Sequence, residues 1–156
     1  MAMTANRSVC QIGSDGNISY WDQKAGTIYL GSMVVRSVAD PLLIEEPTVA
    51  TTLECVGVYR DRRGSQTAAA DADNRLQIRT GVFGPYKNSA GADEILQDDV
   101  NKNAWLVDGE TVAKTDGTAT RSPAAYVARV DDDGGVYLDF TKGEIIATLF
   151  AGGNIP

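Results

Sequence analysis

The sequence contains no histidine and only two cysteines. The absence of histidine excludes Ser-His-Asp triads, imidazole general bases and histidine-ligated metal sites. Cys10 and Cys55 lie far apart, and no C-x-x-C pair occurs, so the cysteines predict no disulfide framework. Two interpretations stay open for them: reduced thiols in a reducing compartment, or a single bridge that pins the N-terminal arm. A cysteine nucleophile is disfavoured because no histidine is available to lower its pKa.

Long apolar runs and positive charge are scarce too. No run approaches the roughly 20 residues that cross a bilayer, and the first seven residues lack the apolar stretch of a secretory signal. We therefore expect no membrane partner. The chain has 14 Lys and Arg against 21 Asp and Glu, a net charge of −7. Because Lys and Arg supply most contacts to a phosphate backbone, this balance argues against a nucleic-acid partner.

Motifs for catalysis or cofactor binding are missing as well. The sequence has no phosphate-binding loop, no dinucleotide fingerprint after a strand and no G-x-S-x-G elbow. Asp131–Asp133 followed by Gly134 resembles the start of a calcium loop, but Lys142 stands at the twelfth position, where an EF-hand needs a carboxylate. We interpret this segment as a turn. The expectation is a protein that is not an enzyme and holds no cofactor or metal.

What the sequence has instead is glycine, 16 residues of it, between short runs of β-branched and apolar residues. This pattern is typical of many short strands joined by tight turns. It predicts an all-β fold with a minor helix, a small barrel or sandwich of about eight to ten strands. The length suits one domain, and we divide the chain into an N-terminal arm, residues 1–20, and a single β-rich domain, residues 21–156.

Alternation and turn residues locate the strands. Gly31-Ser32 suggests a hairpin of Thr27–Leu30 with Met33–Val38. The Asp/Gly turn Asp131–Gly135 predicts a second hairpin, of Ala125–Val130 with Val136–Phe140. Ile145–Phe150 is predicted to be a last strand or a tail. The other strands are predicted at Asn17–Tyr20, Thr27–Leu30, Met33–Val38, Leu53–Tyr59, Leu76–Phe83, Ala104–Val107, Thr111–Lys114, Ala125–Val130 and Val136–Phe140.

Interruptions in these patterns predict local irregularities. In Leu53–Tyr59, strict alternation cannot place Leu53, Cys55 and Val58 on one face, which predicts a bulge at Gly57. Gly84-Pro85 is predicted to end the preceding strand. Arg60–Asp73 has no periodic apolar face and reads as an exposed loop, and Asp93–Asn103 as a short helix of one or two turns.

Two phrases in the second half are not generic turn chemistry. They are N-S-A-G-A-D-E-I at Asn88–Ile95 and D-x-x-T-V-A-K-T-x-G-T-x-T-R-S at Asp108–Ser122. With their flanking segments, in the same order and spacing, they resemble the capsid cement, or head decoration, proteins of tailed bacteriophages. The resemblance covers roughly Leu53–Phe140.

This resemblance implies a β-tulip or barrel fold and a structural virion protein with no catalytic residues. Such a protein would bind the outer surface of the major capsid lattice and stabilise the expanded, DNA-filled head, after assembly in a bacterial host's cytoplasm. Its partners would be the major capsid protein and further copies of itself, with a homotrimer favoured and a dimer possible. The alternative is another virion β-module, from a tail or spike.

Side-chain chemistry within that function suggests contact residues. An arm with isolated apolar positions can pair with a capsid strand by β-addition, and an arginine-rich loop can meet an acidic capsid surface. Tyr86 and Trp105 are candidates for a subunit contact. Trp21 and Trp105 are expected in the core or at such a contact, with the core favoured for Trp105. The predicted contact residues are Arg7, Val9, Ile12, Arg60, Arg62, Arg63 and Tyr86.

Overall fold

The fold is seen in a computed structural model of the chain, which describes residues 5–6, 9–12 and 17–141. Within these ranges the chain forms thirteen strands and two single-turn 3₁₀ helices, Gly91–Asp93 and Gln97–Asp99. The strands are β1 Cys10–Ile12, β2 Ile18–Gln23, β3 Gly26–Ile28, β4 Met33–Ser37, β5 Leu43–Glu45, β6 Leu53–Tyr59, β7 Gln66–Ala68, β8 Arg75–Arg79, β9 Val82–Asn88, β10 Asn103–Leu106, β11 Thr111–Ala113, β12 Pro123–Val130 and β13 Val136–Asp139.

The strands close into two small five-stranded barrels, which confirms the predicted all-β class. The first barrel has the order β2-β5-β4-β6-β8. The second has the order β9-β11-β10-β12-β13 and closes through the pairing of β13 with β9. Strand β1 adds to β9, and β3 pairs with β7 as a separate ribbon. Closure into barrels leaves few free strand edges.

The buried apolar side chains form two clusters, one for each barrel. The larger cluster, that of the second barrel, also includes side chains of the first barrel's strands. The inside of the first barrel is filled by Ile28, Val34, Ile44, Tyr59, Leu76 and Ile78. Met33, Val35 and Val58 point the other way from β4 and β6 and belong to the core of the second barrel. Since successive side chains of a strand alternate in direction, β4 and β6 contribute to both cores and join the two barrels.

The predicted bulge at Gly57 makes this double use possible. Along β6, Val34 pairs with Gly57 but Val35 pairs with Cys55, so one extra residue lies on β6. As a result Cys55 and Val58 both pack on the second barrel's core, as the sequence pattern required, while Val56 packs on the first.

Two local predictions were wrong because pairing between distant segments prevailed. No hairpin forms across Gly31-Ser32: the Gly31 N–H bonds to Tyr59 O, and the Tyr59 N–H to Ser32 O, so β6 captures this backbone. Strand β3 pairs with β7 instead, inside the segment predicted to be an exposed loop. The short helix of one or two turns predicted within Asp93–Asn103 is present as the single 3₁₀ turn Gln97–Asp99.

The strand predicted at Leu76–Phe83 is in fact two strands, and Gly84-Pro85 does not end the second. Gly81 has a φ of +128° and separates β8 of the first barrel from β9 of the second. Pro85, which has no N–H, lies where the register of β9 against β13 shifts, between the residues that pair with β1 and with β11. Ile145–Phe150 lies outside the described residues.

Candidate interaction site

The arginines predicted as one contact group have separate local roles. Arg60 is half-buried, and its Nη1 donates a hydrogen bond to Val9 O. Arg63 donates to Asp61 Oδ2 through Nε at 3.1 Å and Nη2 at 2.7 Å, and to Arg75 O at 2.7 Å. The hydrogen bond from Arg63 lowers the pKa of the Asp61 carboxyl. Arg62 is exposed and makes no ion pair within the described part of the chain.

A cavity of about 460 Å³ opens beside this loop. Two of its lining residues, Gln77 and Arg79, come from β8, because the pairing of Val58 with Arg79 brings the end of β8 next to the end of β6. Among the described residues the lining is Leu30, Arg60, Asp61, Arg62, Gln77 and Arg79. These three arginines and one aspartate carry a formal charge of +2, on a chain of charge −7.

Arg79 is the member of this cavity that sequence reasoning missed. Strict alternation along β8 puts its side chain on the face opposite Leu76 and Ile78, and in the structure Leu76 and Ile78 are buried while Arg79 is half-buried. Its Nε is buried and has no hydrogen-bond partner among the described residues. The only signal in the sequence was the outward alternation; proximity to Arg60 depends on which strands pair.

Exposed apolar side chains lie next to the cavity. In the antiparallel pair β2–β8, Ile18 is opposite Arg79 and Tyr20 is opposite Gln77. Directly opposed residues project to the same side of a sheet. Ile18 is 52% exposed and Tyr20 is 60% exposed. We call the outer surface formed by Ile18, Tyr20, Gln77 and Arg79 the β2–β8 face.

The N-terminal arm residues are placed within the chain's own fold. Val9 is buried in the second barrel's core, and Cys10–Ile12 pairs antiparallel with Val82–Gly84 of β9. Ile12 is therefore in a backbone pair with Val82. The arm already supplies a strand to β9, and Arg60 binds it from the other barrel. Arg7 lies outside the described residues.

Tyr86 requires a correction, because its side chain is fully buried and cannot form a subunit contact in this fold. Its hydroxyl donates a 3.1 Å hydrogen bond to Gly31 O, and its ring packs edge-on against Phe140 with centroids 6.1 Å apart. Gly31 lies two residues before β4, the strand that contributes to both cores. The hydrogen bond from Tyr86 therefore joins β9 to the first barrel. Trp21 and Trp105 are half-buried.

The two phrases of the resemblance meet in space. Asn88 at the start of the first phrase grips Ile95 at its end: Asn88 Nδ2 donates to Ile95 O at 2.8 Å, and the Ile95 N–H donates to Asn88 Oδ1 at 2.9 Å. From the second phrase, Thr115 and Arg121 donate to the carboxylate of Asp93. These hydrogen bonds lower the pKa of Asp93.

The turn interpretation of the acidic run is confirmed: Gly134 N–H donates to Asp131 O and Asp131 N–H to Gly135 O, closing the β12–β13 hairpin. Within the described residues, no group of three or more Cys, Asp or Glu side chains is placed to hold a metal ion. Cys55 is half-buried, with its Sγ 4.0 Å from Gly57 O, while the side chain of Cys10 lies outside the description.

Over the described ranges, no helix is long and apolar enough to span a bilayer. Comparison with protein families, with curated proteins and with solved structures finds no match to the chain. The functional assignment therefore depends on the two phrases and on the surface just described.

Proposed function

We propose that the protein is a structural virion protein of the capsid cement type, which binds the outer surface of a phage major capsid lattice and stabilises the expanded, DNA-filled head. The observation that carries the proposal is the resemblance of Asn88–Ile95 and Asp108–Ser122 to head decoration proteins. The hydrogen bonds of Asn88 hold the first phrase in a closed loop, and the bond from Arg121 to Asp93 joins the second phrase to it beside the second barrel.

The surface of the first barrel is suited to such binding. Ile18 and Tyr20 are more than half exposed next to a positively charged cavity, a combination typical of protein contact sites. Packaged DNA presses outward on a shell, and an external protein that bridges capsid subunits opposes this pressure through the area it buries. Many copies on one lattice add their small individual free energies, as in any multivalent attachment.

Binding to shells tests the proposal directly. Purified protein is mixed with expanded shells assembled from the cognate major capsid protein, and the shells are sedimented to measure the bound protein. The melting temperature of the shells is then measured with and without the protein. We expect saturable co-sedimentation and a higher shell melting temperature, with an unrelated acidic protein of similar size as the control. Absence of both effects would reject the cement function.

The place of the protein in the virion separates this function from a tail or spike role. Immunogold labelling of intact particles is expected to decorate heads, and label confined to tails would favour the alternative module. Light scattering of the free protein tests the proposed self-association, for which we expect a trimer, with a dimer as the second possibility.

A further inference from the structure

We propose that the cavity of Arg60, Arg62 and Arg79 receives acidic side chains from an extended segment of a protein partner, whose apolar residues contact Ile18 and Tyr20 on the β2–β8 face. The identity of the partner as the capsid protein rests on the proposed function. The chemistry of the segment, carboxylates next to apolar residues, rests on the cavity and on the β2–β8 face, not on the proposed function.

The first argument is charge. The described lining residues carry a formal charge of +2 while the whole chain carries −7. Positive charge is therefore concentrated at this cavity on a chain that otherwise repels anions. The carboxylate of Asp61 accepts hydrogen bonds from Arg63, which does not line the cavity. Within the described residues, no hydrogen bond or ion pair joins Asp61 to Arg60, Arg62 or Arg79. Guanidinium groups bind carboxylates with strong, directional hydrogen bonds.

The second argument is an unsatisfied donor. The Nε of Arg79 is shielded from water and donates to nothing in the described chain. A buried N–H without an acceptor costs about 1–3 kcal/mol, so an acceptor supplied by another molecule would be favourable here. An entering carboxylate would supply the missing acceptor.

The third argument distinguishes a peptide from a small ion. Ile18 and Tyr20 project beside Arg79 and Gln77 and stay exposed, and a free phosphate would gain nothing from them. Leu30 adds an apolar wall to the cavity itself. Apolar surface flanking a charged pocket fits a peptide segment that alternates acidic and apolar side chains.

The segment is proposed to bind the face of the sheet rather than to add a strand. One edge of β2 is paired with β8 from Ile18 to Asp22, and β5 pairs with the other edge at Asp22 and Gln23. Ile18 and Tyr20 project from the face of the sheet, so side chains of the segment contact them there while its carboxylates enter the cavity. A cavity of about 460 Å³ is within the usual range for ligand pockets, about 300–1,000 Å³.

The test uses the full-length protein and a ten-residue peptide in which glutamate alternates with leucine and serine. Resonances of the arginine Nε–H groups are followed by NMR during titration with this peptide, with its glutamine counterpart, and with inorganic phosphate. We expect the Arg79 signal to shift with the glutamate peptide alone, and the affinity to fall as salt rises.

Two variants and one control separate the cavity from general electrostatics. Arg62→Gln, at an exposed position that leaves the fold intact, and Arg79→Gln are expected to weaken peptide binding about tenfold. Arg75→Gln is the matched control, since Arg75 lies on the same strand and face, is paired with Asp22, and does not line the cavity. We expect it to change binding less than about twofold.

Three results would overturn the inference. The first is an equal shift of the Arg79 signal with phosphate and with peptide, which would mean a small-anion site. The second is a shift that depends on protein concentration without peptide, which would mean that a second copy occupies the cavity. The third is full shell binding by Arg62→Gln and Arg79→Gln. In the last case the cement function stands and only the cavity is rejected. Peptide binding by a protein that ignores shells would keep the cavity and reject the cement function.

Discussion

The hydroxyl of Ser32 donates a 2.6 Å hydrogen bond to Oε2 of Glu46 where the two barrels meet. Glu46 follows β5 of the first barrel, and its other oxygen accepts from the Tyr29 N–H at 2.9 Å. Gly109, in the turn between β10 and β11 of the second barrel, is so close that a methyl group there would lie 2.2 Å from Oε2. Glu46 is therefore enclosed by both barrels.

This enclosure makes stability depend on pH. Burial raises the pKa of Glu46 from its ordinary 4.5 to about 7, with the charges of Asp108 and Glu110 adding to the shift and the two hydrogen bonds opposing it. Between these values the folded state holds a proton that the unfolded state has released, so the free energy of unfolding falls as pH rises. The loss from pH 4.5 to above 7 is at most about 3 kcal/mol.

Denaturant melts at pH 5 and pH 8 measure this loss. Because the chain has no histidine, few other groups titrate in this window. Glu46→Gln stays neutral, and its Oε1 can still accept from the Tyr29 N–H while its Nε2 donates to Ser32 Oγ, whose hydroxyl then donates to Met33 O. This variant is expected to remove most of the slope. Equal slopes in the parent and the variant would contradict the assignment to Glu46.

The bulge in β6 is expected to depend on its glycine. A Cβ at Gly57, where φ is +142°, would lie 2.6 Å from Arg79 O, so Gly57→Ala combines backbone strain with a clash against fixed backbone. We expect a loss of about 3 kcal/mol or more in chemical denaturation. Gly26→Ala is the control: φ is +132° but the space is open, so a loss of about 1–2 kcal/mol is expected. Similar losses in both would show that the clash is relieved.

The burial of Tyr86 predicts graded effects. Tyr86→Phe removes the hydrogen bond to Gly31 O and is expected to cost about 1–2 kcal/mol, and Tyr86→Ala, which leaves a cavity beside Phe140, about 3–5 kcal/mol. Tyr20→Phe, at a position 60% exposed, is expected to leave the melting curve unchanged. An unchanged curve for Tyr86→Ala would place Tyr86 outside the core.

The arm is expected to contribute to stability as well as to any contact. Deleting residues 1–12 removes the buried Val9 and the pairing of β1 with β9, and should lower the free energy of unfolding by about 2 kcal/mol or more. Arg60→Gln should reproduce part of this loss by releasing Val9 O, whereas Arg62→Gln should not. A deletion that melts like the full chain would show that β1 is not needed by the fold.

Shell binding by the same deletion, measured well below its melting temperature, separates the two roles of the arm. If the arm also reaches the capsid, occupancy should fall even where the shortened protein is fully folded. Unchanged occupancy would reject a capsid contact by the arm, in which Val9 is already buried in the second barrel's core and offers no exposed side chain.

Sequence reasoning succeeded where structure is local. The hairpin of β12 and β13 was predicted because an Asp/Gly turn joins two alternating strands, and the turn sets the adjacent pair, Val130 with Val136. The bulge at Gly57 was also predicted, because strict alternation cannot place Leu53, Cys55 and Val58 on the same face of the strand. The fate of Gly31-Ser32 was missed because β6, more than twenty residues later, competes for the same backbone.

The amino-acid sequence by itself determined the β class, the positions of most strands, the exclusion of histidine chemistry and the two phrases on which the function is proposed. Tertiary structure alone decided that the strands close into two barrels, that Tyr86 is buried and that Arg79 joins Arg60 and Arg62 around one cavity. The reason is physical: alternation fixes the direction in which a side chain points, whereas its neighbours are fixed by pairing between distant strands, which depends on the free energy of the whole fold.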